Sequence, residues 1–278
     1  MPELPEVEVV RRDLDDVLRG RTLVGVEIGR DRSVRRAPSP AAFVDAVRGR
    51  DVVGTRRVGK FLVVEIDGPD AIVIHLGMSG QLRVAASSDE PRVPHTHVVW
   101  LLDDGREVRY VDPRTFGHMF VSPVQDGARP DGLTHLGPDA LLELHTPDDL
   151  ARLLSGRRVA VKPRLMDQQA VAGLGNIYSD EILFRAGVRS TRASGSITES
   201  EVASIHAACR EVLLEAVEAR GSSLADAQYV DLYGRPGRFQ LAHAVHARAG
   251  EPCPRCSASI ARQRIGGRFG YWCPRCQA

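Results

Sequence analysis

Four cysteines near the carboxyl end of the chain constrain its fold more than any other feature. Cys253 and Cys256 are separated by two residues, as are Cys273 and Cys276, and sixteen residues lie between the two pairs. This spacing is typical of a four-thiolate zinc site in which each pair forms one knuckle. Four protein ligands fill the coordination shell, so the metal is expected to shape a hairpin and to take no part in chemistry. Disulfides or an iron–sulfur cluster are the alternatives.

The length and the apolar pattern bound the class of protein. A chain of 278 residues is long enough for one large domain or two ordinary ones, and we favour two. No apolar run approaches the roughly 20 residues that span a bilayer, and the amino terminus lacks the basic-then-apolar pattern of a signal peptide. We therefore expect a cytoplasmic protein with reduced cysteines, which favours metal binding over disulfides.

Charge is distributed very unevenly along the sequence, although the formal net charge is only +1. Residues 234–278 contain one acidic residue, Glu251, against eight arginines at positions 235, 238, 248, 255, 262, 264, 268 and 275. Such a basic terminus indicates a polyanionic partner, with a solvated basic tail as the alternative. Lys60 and Lys162 are the only lysines among 37 basic residues. Lysine offers a titratable amine that arginine cannot imitate, so both are candidates for a functional role.

The first half of the chain predicts a β-rich domain behind one helix. Residues 3–18 have apolar side chains near helical spacing, and Gly20 ends the pattern. A short helix is predicted at Ala41–Val47. Between Thr22 and Phe120, short β-branched runs predict an antiparallel sandwich or barrel with strands at Leu23–Ile28, Asp51–Val58, Phe61–Ile66, Ala71–Leu76, His97–Leu102 and Glu107–Val111.

The second half predicts helices. Ser122–Pro147 is rich in Pro, Gly and Asp and contains the predicted domain boundary. Thr198 and Glu201 form a capping box at the start of a long helix in which Cys209 is a buried thiol. The predicted helices are Pro147–Leu154, Pro163–Gln169, Asn176–Ala186 and Thr198–Ala219.

These elements together predict an α+β, multidomain fold. An antiparallel β-sandwich or barrel with flanking helices is assigned to residues 1–134, and a linker to residues 135–147. A helical domain is assigned to residues 148–240, and a β-hairpin zinc finger to residues 241–278. The chain is thus expected to end in its metal site.

The amino terminus carries a candidate nucleophile. Removal of Met1 would leave the secondary amine of Pro2 free beside Glu3 and Glu6, and a terminal amine has a pKa of roughly 7.7–8.0. Such an amine can form an iminium with an aldehyde carbon, and Glu3 can move protons to and from the adduct. The alternative is structural, because proline in the first turn and acidic residues at the positive end both favour a helix.

Three glycine-containing segments are candidates for nucleic-acid contact. Gly173–Tyr178 places a turn at the start of a helix, where backbone N–H groups bind anions, although the same pattern also forms an ordinary helix cap. The loops His75–Gly80 and Asp112–Gly117 each put a large side chain on a tight turn. Such side chains suit insertion into a base stack, with burial in the core as the alternative for Met78 and Phe116.

Together these motifs closely resemble the formamidopyrimidine-DNA glycosylase family from end to end. The related endonuclease VIII branch usually has Gly at the position of Leu4 and lacks the His75–Gly80 loop, so the purine-directed branch is favoured. The resemblance rests on Met1–Glu8, Gly59–Phe61, His75–Gly80, Asp112–Gly117, Lys162–Asp167, Gly173–Tyr178 and the cysteine quartet, in the family's order.

The resemblance implies a catalytic set of four residues. Pro2 matches the nucleophile that attacks C1′ of the damaged nucleotide, and Glu3 matches the acid that assists sugar opening and later proton transfers. Glu6 matches a carboxylate that orders the active site. Lys60 matches a lysine that contacts a phosphate near the lesion and supports catalysis.

The resemblance also implies DNA-binding residues. Met78, Arg114 and Phe116 match a triad that fills the gap left by the extruded base, with Arg114 facing the orphaned base. Asn176 matches a phosphate-binding residue of a helix–two-turn–helix motif, and Arg268 matches the phosphate-binding arginine of the zinc hairpin. Lys162 matches a lysine linked to oxidised-purine processing. His95, which is expected to share a strand face with His97, is a further DNA-binding candidate that does not rest on the resemblance.

The implied activity is a bifunctional one. It comprises removal of oxidised purines (8-oxoguanine and formamidopyrimidines) through a Pro2 Schiff base, followed by strand cleavage through β,δ-elimination. The implied cofactor is one structural Zn²⁺, and the implied partner is duplex DNA with a damaged base, bound by a monomer at the nucleoid in the bacterial cytoplasm. The alternatives are the same chemistry on an oxidised pyrimidine or a bulky purine adduct, and a non-catalytic binding protein for damaged DNA.

One region departs from the family pattern. Residues 222–248 are where the family covers the extruded base and leads into the zinc finger. The stretch 227–233 (Ala-Gln-Tyr-Val-Asp-Leu-Tyr) is unusual, and His246 stands where a tyrosine is common. Because pocket shape selects the flipped base, lesion preference is less constrained by the sequence than reaction type.

Overall fold

The chain divides into two compact units that are not continuous in sequence. The computed structural model describes residues 1–125, 128–224 and 229–278. One unit comprises Met1–Thr134 and Ala219–Gln240, and the other comprises His135–Glu218 and Leu241–Ala278. Within the described parts of both units, every helix is too short or too polar to traverse a lipid bilayer.

The first unit is a sandwich of two four-stranded antiparallel sheets. In spatial order, one sheet contains β1 (Leu23–Ile28), β6 (Thr96–Leu102), β7 (Glu107–Val111) and β5 (Gln81–Ala85). The other contains β2 (Val52–Val58), β3 (Phe61–Ile66), β4 (Asp70–His75) and β8 (His118–Pro123). The predicted antiparallel sandwich is confirmed.

The sandwich encloses one continuous apolar core. Leu62 and Ile74 of one sheet and Trp100 and Tyr110 of the other belong to the same buried cluster. Helix α1 (Leu4–Leu18) adds its apolar face to this cluster, as does the short helix α2 at Pro40–Val47. The helical spacing of the first eighteen residues therefore carries the amino terminus into the folded body of the unit.

Two strands were missed by the sequence analysis. In β5 the residues Gln81, Arg83 and Val84 are only partly buried, so apolar and polar positions do not alternate cleanly. Strand β8 begins at His118, directly after the loop Asp112–Gly117. Because its first residue is polar, the sequence pattern does not distinguish the start of the strand from the loop. Both strands form through pairing with distant partners, β7 and β4, and such pairing leaves little trace in the local sequence.

The predicted helical domain at residues 148–240 differs from the observed division, because Ala219–Gln240 packs into the first unit. Tyr229 and Leu232 are buried in the sandwich core, and burial of a large apolar side chain contributes about 1.5–3 kcal/mol. Arg220 also forms ion pairs with Asp13 of α1 and with Asp231. Residues 225–228, which fall within the region 222–248 that departs from the family pattern, lie outside the described residues.

The second unit is helical and ends in a hairpin. It contains α3 (Pro147–Leu154), α4 (Val161–Met166), α5 (Asn176–Ala186) and α6 (Glu199–Glu218), followed by β9 (Ala261–Ile265) and β10 (Arg268–Trp272). The segment predicted as a linker, 135–147, belongs to this unit. The predicted capping box forms at α6, where the Glu201 carboxylate accepts the Thr198 N–H at 2.8 Å. Cys209 is buried in α6, and burial raises the pKa of its thiol to about 12.

Candidate functional site

The amino terminus of α1 brings three of the predicted catalytic residues together. Pro2 is buried, and Glu3 and Glu6 are 3% and 2% exposed. Glu3 is the N-cap residue of α1 and forms a capping box with Glu6, in which each side chain accepts the other's backbone N–H. Two carboxylates are thereby fixed at the positive end of the helix dipole, in the turn that directly follows Pro2 in the sequence.

Glu6 links the start of the chain to its later return into the first unit. One carboxylate oxygen accepts the Glu3 N–H at 2.8 Å, and the other accepts the Ser222 N–H at 2.8 Å. A buried carboxylate with both oxygens bonded holds its neighbours firmly, because breaking either bond leaves a buried charge poorly satisfied. The position of Glu3 therefore depends on a residue more than 200 positions away.

Lys60, the fourth predicted catalytic residue, lies in the two-residue turn between β2 and β3 and is only 7% exposed. Its positive charge acts on His75 at the end of β4. Burial, and then the charges of Lys60 and Arg35, lower the pKa of His75 to about 4, so this imidazole is neutral near pH 7. Its Nδ1 accepts the Gly77 N–H at 3.2 Å, which places the ring proton on Nε2.

Three of the predicted DNA-binding side chains protrude from loop tips in the same unit. Met78 and Phe116 are 36% and 46% exposed, although the residues beside Met78 are buried. Arg114 is exposed, and its guanidinium lies 4.9 Å from the centre of the Phe116 ring. The alternative interpretation, burial of Met78 and Phe116 in the core, is therefore wrong.

His95 does not share a strand face with His97, as the sequence analysis expected. Strand β6 begins at Thr96, and His95 precedes it with a φ of 67°. The two imidazoles meet edge to face with their centres 6.2 Å apart, and His95 is exposed. A period-two pattern cannot anticipate a left-handed residue at the start of a strand, because that conformation is rare outside glycine.

In the second unit, Asn176 is the first residue of α5, behind a turn that begins with Gly173. The amide side chain of Gln168 braces this turn, because it accepts the Gly173 N–H at 3.0 Å and donates to the Leu174 carbonyl at 2.8 Å. The Oδ1 of Asn176 is buried with no hydrogen-bond partner among the described atoms. The first turn of α5 is thus a braced helix start of the kind that receives anions.

Lys162 was expected among the DNA-binding residues, but its side chain is fully buried. Its ammonium donates to Asp180 Oδ1 at 2.6 Å and to the Phe269 carbonyl of β10 at 3.0 Å. The other oxygen of Asp180 lies 2.9 Å from Nδ1 of His246. Lys162 therefore has no exposed surface for a ligand, and its ammonium instead joins α5 to β10 of the hairpin.

We expect Lys162→Met to destabilise the second unit by about 3–5 kcal/mol, because Asp180 would be left as a buried charge without its main counterion. The double variant Lys162→Met/Asp180→Asn should recover part of this loss, since no uncompensated charge remains. Thermal unfolding of both variants measures the difference. A single variant as stable as the wild type, or a double variant with no recovery, would contradict this account.

The four predicted ligand cysteines converge at the start and end of the hairpin. All four Sγ atoms lie within 4.8 Å of one another, with Cys253 to Cys276 at 3.9 Å and Cys256 to Cys273 at 3.4 Å. A tetrahedron with Zn–S bonds of about 2.3 Å has edges of about 3.8 Å, so the four thiols fit a zinc ion.

The hairpin itself requires glycine at its tip and presents Arg268 there. Ile265 pairs with Arg268, and the two residues between them, Gly266 and Gly267, have φ values of 57° and 81°. A two-residue turn with positive φ at both positions matches the strand twist, and glycine adopts it without strain. Arg268 is exposed directly after this turn.

Sequence reasoning missed two residues of the first unit that organise the candidate site. The loop His75–Gly80 is one of the sequence motifs, but nothing in its spacing singles out the His75 imidazole, whose pKa the Lys60 charge lowers. Asp112 was noted only as the first residue of its loop, although its carboxylate is fully buried and accepts three hydrogen bonds. A carboxylate without any exposed surface is the signal of an organising role, and burial is visible only in the folded chain.

Comparison with known families covers almost the entire chain. Residues 1–119 match the formamidopyrimidine-DNA glycosylase N-terminal domain, and residues 136–228 match the H2TH domain of the same enzymes. Residues 250–278 match the zinc finger found in FPG and IleRS. These three domains, with the buried proline and glutamates at the amino terminus, define a DNA glycosylase with a zinc finger.

Individual relatives agree with the domain matches. The formamidopyrimidine-DNA glycosylase of Heliobacterium modesticaldum is 40% identical over the full length of both chains. That of Symbiobacterium thermophilum is 43% identical over all of this chain and 89% of the relative. The chain belongs to the formamidopyrimidine-DNA glycosylase family.

Solved structures show the same fold. The crystal structure of MutM (Fpg) from Thermus thermophilus has a TM-score of 0.86 and 39% identity, covering 99% of this chain and 98% of that one. A Lactococcus lactis Fpg variant bound to DNA containing Fapy-dG has a TM-score of 0.87 and 30% identity, covering 99% of both chains. The predicted α+β multidomain class, with its helix–two-turn–helix domain and zinc-finger hairpin, is confirmed.

Proposed function

We propose that this glycosylase removes oxidised purines, 8-oxoguanine and formamidopyrimidines, and then cuts the DNA strand by β,δ-elimination. The observation that carries the proposal is the buried amino terminus, where Pro2 precedes the capping box of Glu3 and Glu6. A Lactococcus lactis relative crystallised with Fapy-dG-containing DNA supports the purine assignment. A second complex of Lactococcus lactis Fpg, crystallised with DNA that contains an abasic site, supports the lyase step.

The proposed chemistry begins at the nitrogen of Pro2 once Met1 has been removed. This nitrogen bonds to C1′ as the bond from C1′ to the damaged base breaks, and the proton that the nitrogen loses neutralises the departing base. Glu3 donates a second proton to the sugar ring oxygen as the ring opens, which leaves an iminium between the nitrogen and C1′. The resulting iminium acidifies the C2′ protons. Two successive eliminations then release the phosphates on the 3′ and 5′ sides.

Glu6 and Lys60 support these steps without forming covalent bonds to the substrate. Glu6 holds the backbone of Glu3 through a 2.8 Å hydrogen bond, so the proton donor is preorganised before DNA arrives. Lys60 lies in a nearly buried turn and offers a positive charge to the phosphate beside the lesion. A charge in a desolvated position interacts more strongly with a phosphate than an exposed one does.

The remaining predicted residues are proposed to bind and open the duplex. Met78 and Phe116 enter the base stack, and Arg114 contacts the orphaned base. His95 contacts the same region of DNA, and Asn176 and Arg268 bind phosphates. Lys162 supports the phosphate contact of Arg268, because it is buried in the second unit and bonded to β10.

One structural Zn²⁺ is proposed to hold the hairpin, bound by Cys253, Cys256, Cys273 and Cys276. When bound, it supplies a closed tetrahedral crosslink and no open position for substrate. The proposed DNA-binding residues of the first unit and those of the second unit belong to one chain, so we propose that the protein acts as a monomer. Because the proposed substrate is chromosomal DNA, we propose that it acts at the bacterial nucleoid.

A second lesion class is kept as a candidate. A Lactococcus lactis Fpg has been crystallised with DNA containing an oxidised pyrimidine, and another complex contains N7-benzyl-Fapy-dG. The same chemistry on an oxidised pyrimidine or a bulky purine adduct is therefore the alternative. Base release from a panel of lesion duplexes decides between them.

Borohydride trapping tests the proposed function directly. The wild-type protein, incubated with a duplex containing 8-oxoguanine opposite cytosine, is expected to become covalently attached to DNA and to yield β,δ-elimination products. Binding of the lesion duplex without any trapped adduct or strand cleavage would instead identify a non-catalytic binding protein. Trapping only with an oxidised-pyrimidine duplex would transfer the proposal to that lesion.

We expect Arg114→Ala to reduce discrimination between opposite bases by roughly 5–150-fold, because a base-reading arginine is worth about 1–3 kcal/mol. Single-turnover excision opposite cytosine and opposite adenine measures this ratio. Lyase activity on a bare abasic site should fall much less. Arg48→Ala, which removes an exposed arginine at the end of α2, is the matched control for charge. Equal losses on both substrates would count against a reading role.

A further inference from the structure

Asp112 is a fully buried carboxylate between the two loops that carry Met78 and Phe116. Its Oδ1 accepts the Ser79 hydroxyl at 2.6 Å, and its Oδ2 accepts the Tyr110 hydroxyl at 3.1 Å and the Gly117 N–H at 2.8 Å. Because Ser79 and Gly117 belong to different loops, one carboxylate fastens both of them.

A further hydrogen bond connects the two loops directly. The Arg114 N–H donates to the Ser79 hydroxyl oxygen at 3.2 Å, so Ser79 is shared between Asp112 and the loop that carries Arg114. Burial, and then the Asp112 charge, raise the pKa of Tyr110 far above its ordinary value, so its hydroxyl keeps the proton that it donates. These hydrogen bonds therefore form one continuous network around Asp112, in which the Tyr110 hydroxyl stays protonated and donates.

The backbone of Asp112 extends the same network to the turn of His95. The Asp112 N–H donates to the His95 carbonyl at 3.1 Å. The Asp112 carbonyl accepts the Thr115 N–H at 3.2 Å and Nε2–H of His97 at 3.0 Å. Thr115 has a φ of 56°, a conformation that a β-branched residue keeps only when its surroundings hold it.

Packing between the loops leaves no room for a side chain at three positions. A Cβ at Gly77 would lie 2.4 Å from the Gly117 nitrogen, and one at Gly117 would lie 1.9 Å from the Tyr110 hydroxyl. A Cβ at Gly80 would lie 2.2 Å from the Leu76 carbonyl oxygen. The backbones of the two loops are therefore in direct contact, and neither can shift without the other.

Arginines preceding α2 hold the second loop from outside. Arg35 donates to the Gly117 carbonyl at 2.7 Å and to the Phe116 carbonyl at 3.1 Å, and Arg32 donates to the Thr115 carbonyl at 3.1 Å. The loop tip is thus bonded on both sides while the Phe116 side chain itself stays exposed.

We propose that Asp112, with Tyr110 and Ser79, is a positioning residue that makes the two loops and the His95 turn one rigid wedge for base extrusion. The inference rests on the proposed DNA-opening role of Met78, Arg114 and Phe116. Side chains held in place before DNA arrives lose little conformational entropy on insertion, so extrusion is faster. The network takes no part in bond breaking at C1′.

Asp112→Asn tests the proposal, because an amide cannot accept all three hydrogen bonds. We expect base extrusion, followed by 2-aminopurine fluorescence beside the lesion, and single-turnover excision from duplex DNA to fall by about tenfold or more. Lyase activity on an abasic site in single-stranded DNA, which requires no wedge, should change by less than about twofold. Equal losses on both substrates, or no loss on the duplex, would overturn the proposal.

A double-mutant cycle separates positioning from general destabilisation. In a Met78→Ala/Phe116→Ala background, which has no wedge to position, Asp112→Asn should add little further loss of duplex excision. Full additivity of the losses would overturn the proposal. Tyr110→Phe and Ser79→Ala repeat the test with milder changes if Asp112→Asn does not fold.

A matched control is available on β7, the strand that ends directly before Asp112. Glu107 lies at the other end of β7, is also fully buried, and is paired with Arg92 and Arg109. Glu107→Gln should leave the ratio of duplex excision to single-strand lyase unchanged, even where stability falls. Failure of the proposed function would be seen in the wild-type protein, as an absence of trapping on both DNAs, whereas failure of the positioning role would be seen only in the variants.

Discussion

Base excision is expected to fall by at least about 10³-fold when the nitrogen of Pro2 is kept inside a peptide bond, because an amide cannot form an iminium. The protein can be prepared with an amino-terminal extension whose protease cleavage leaves Pro2 first. The uncleaved form should give no borohydride-trapped adduct, and cleavage of the same preparation should restore trapping.

Glu3→Gln separates proton transfer from nucleophilic attack. The glutamine oxygen can still accept the Glu6 N–H of the capping box, so α1 and the DNA affinity should be preserved. Excision should fall by about 10²–10⁴-fold, the usual contribution of a positioned general acid or base. Mass spectrometry that found Met1 retained on the active protein would remove Pro2 as the nucleophile and contradict both expectations.

Removal of zinc is expected to unfold the hairpin and to lower DNA affinity by about 10²-fold or more. Structural zinc sites contribute about 10–16 kcal/mol of apparent binding free energy, more than a small hairpin can replace. Cys273 is fully buried against Phe184, Val245 and Ile260, so this small cluster depends on the metal for its shape. Cys273→Ser, or treatment with a chelator, should release one zinc per chain and expose the hairpin to protease.

The fifth cysteine provides the control. Cys209→Ala changes a buried thiol in α6 and should leave the zinc content and the DNA affinity unchanged. Removal of zinc should also abolish the proposed phosphate contact of Arg268. The slope of log binding constant against log salt concentration should then become shallower by roughly one unit. Metal-free protein that keeps full affinity and the same slope would show that the hairpin does not bind DNA.

Local patterns predicted the fold well where the structure is local. Helix α1 follows from apolar spacing, α6 from its capping box, and the hairpin from the paired cysteines. The missed strands β5 and β8 form through long-range pairing, and the return of Ala219–Gln240 to the first unit rests on Leu232 and Tyr229 packing against residues far away in the chain. Contacts between residues that are far apart in the chain leave no periodic pattern in the local sequence.

The residues of the candidate site were also predicted only where the signal is local. Motifs identified Pro2, Glu3 and the cysteines, because each lies in a short segment with a recognisable chemical purpose. The same motifs did not reveal that Lys162 is enclosed with Asp180, since a lysine reads as a surface residue until its partner is known. Asp112 was overlooked for the opposite reason, because an aspartate before Pro113 reads as an ordinary turn residue.

The discontinuous first unit has a consequence for how the protein is made. Leu232 and Tyr229 complete the sandwich core, and the Ser222 N–H completes the bonding of Glu6. During synthesis the amino-terminal sandwich therefore leaves the ribosome long before its last core residues do, and it cannot reach its final packing until they emerge. A nascent chain truncated before residue 219 is expected to be captured by chaperones, so the enzyme acquires activity only when translation is nearly finished.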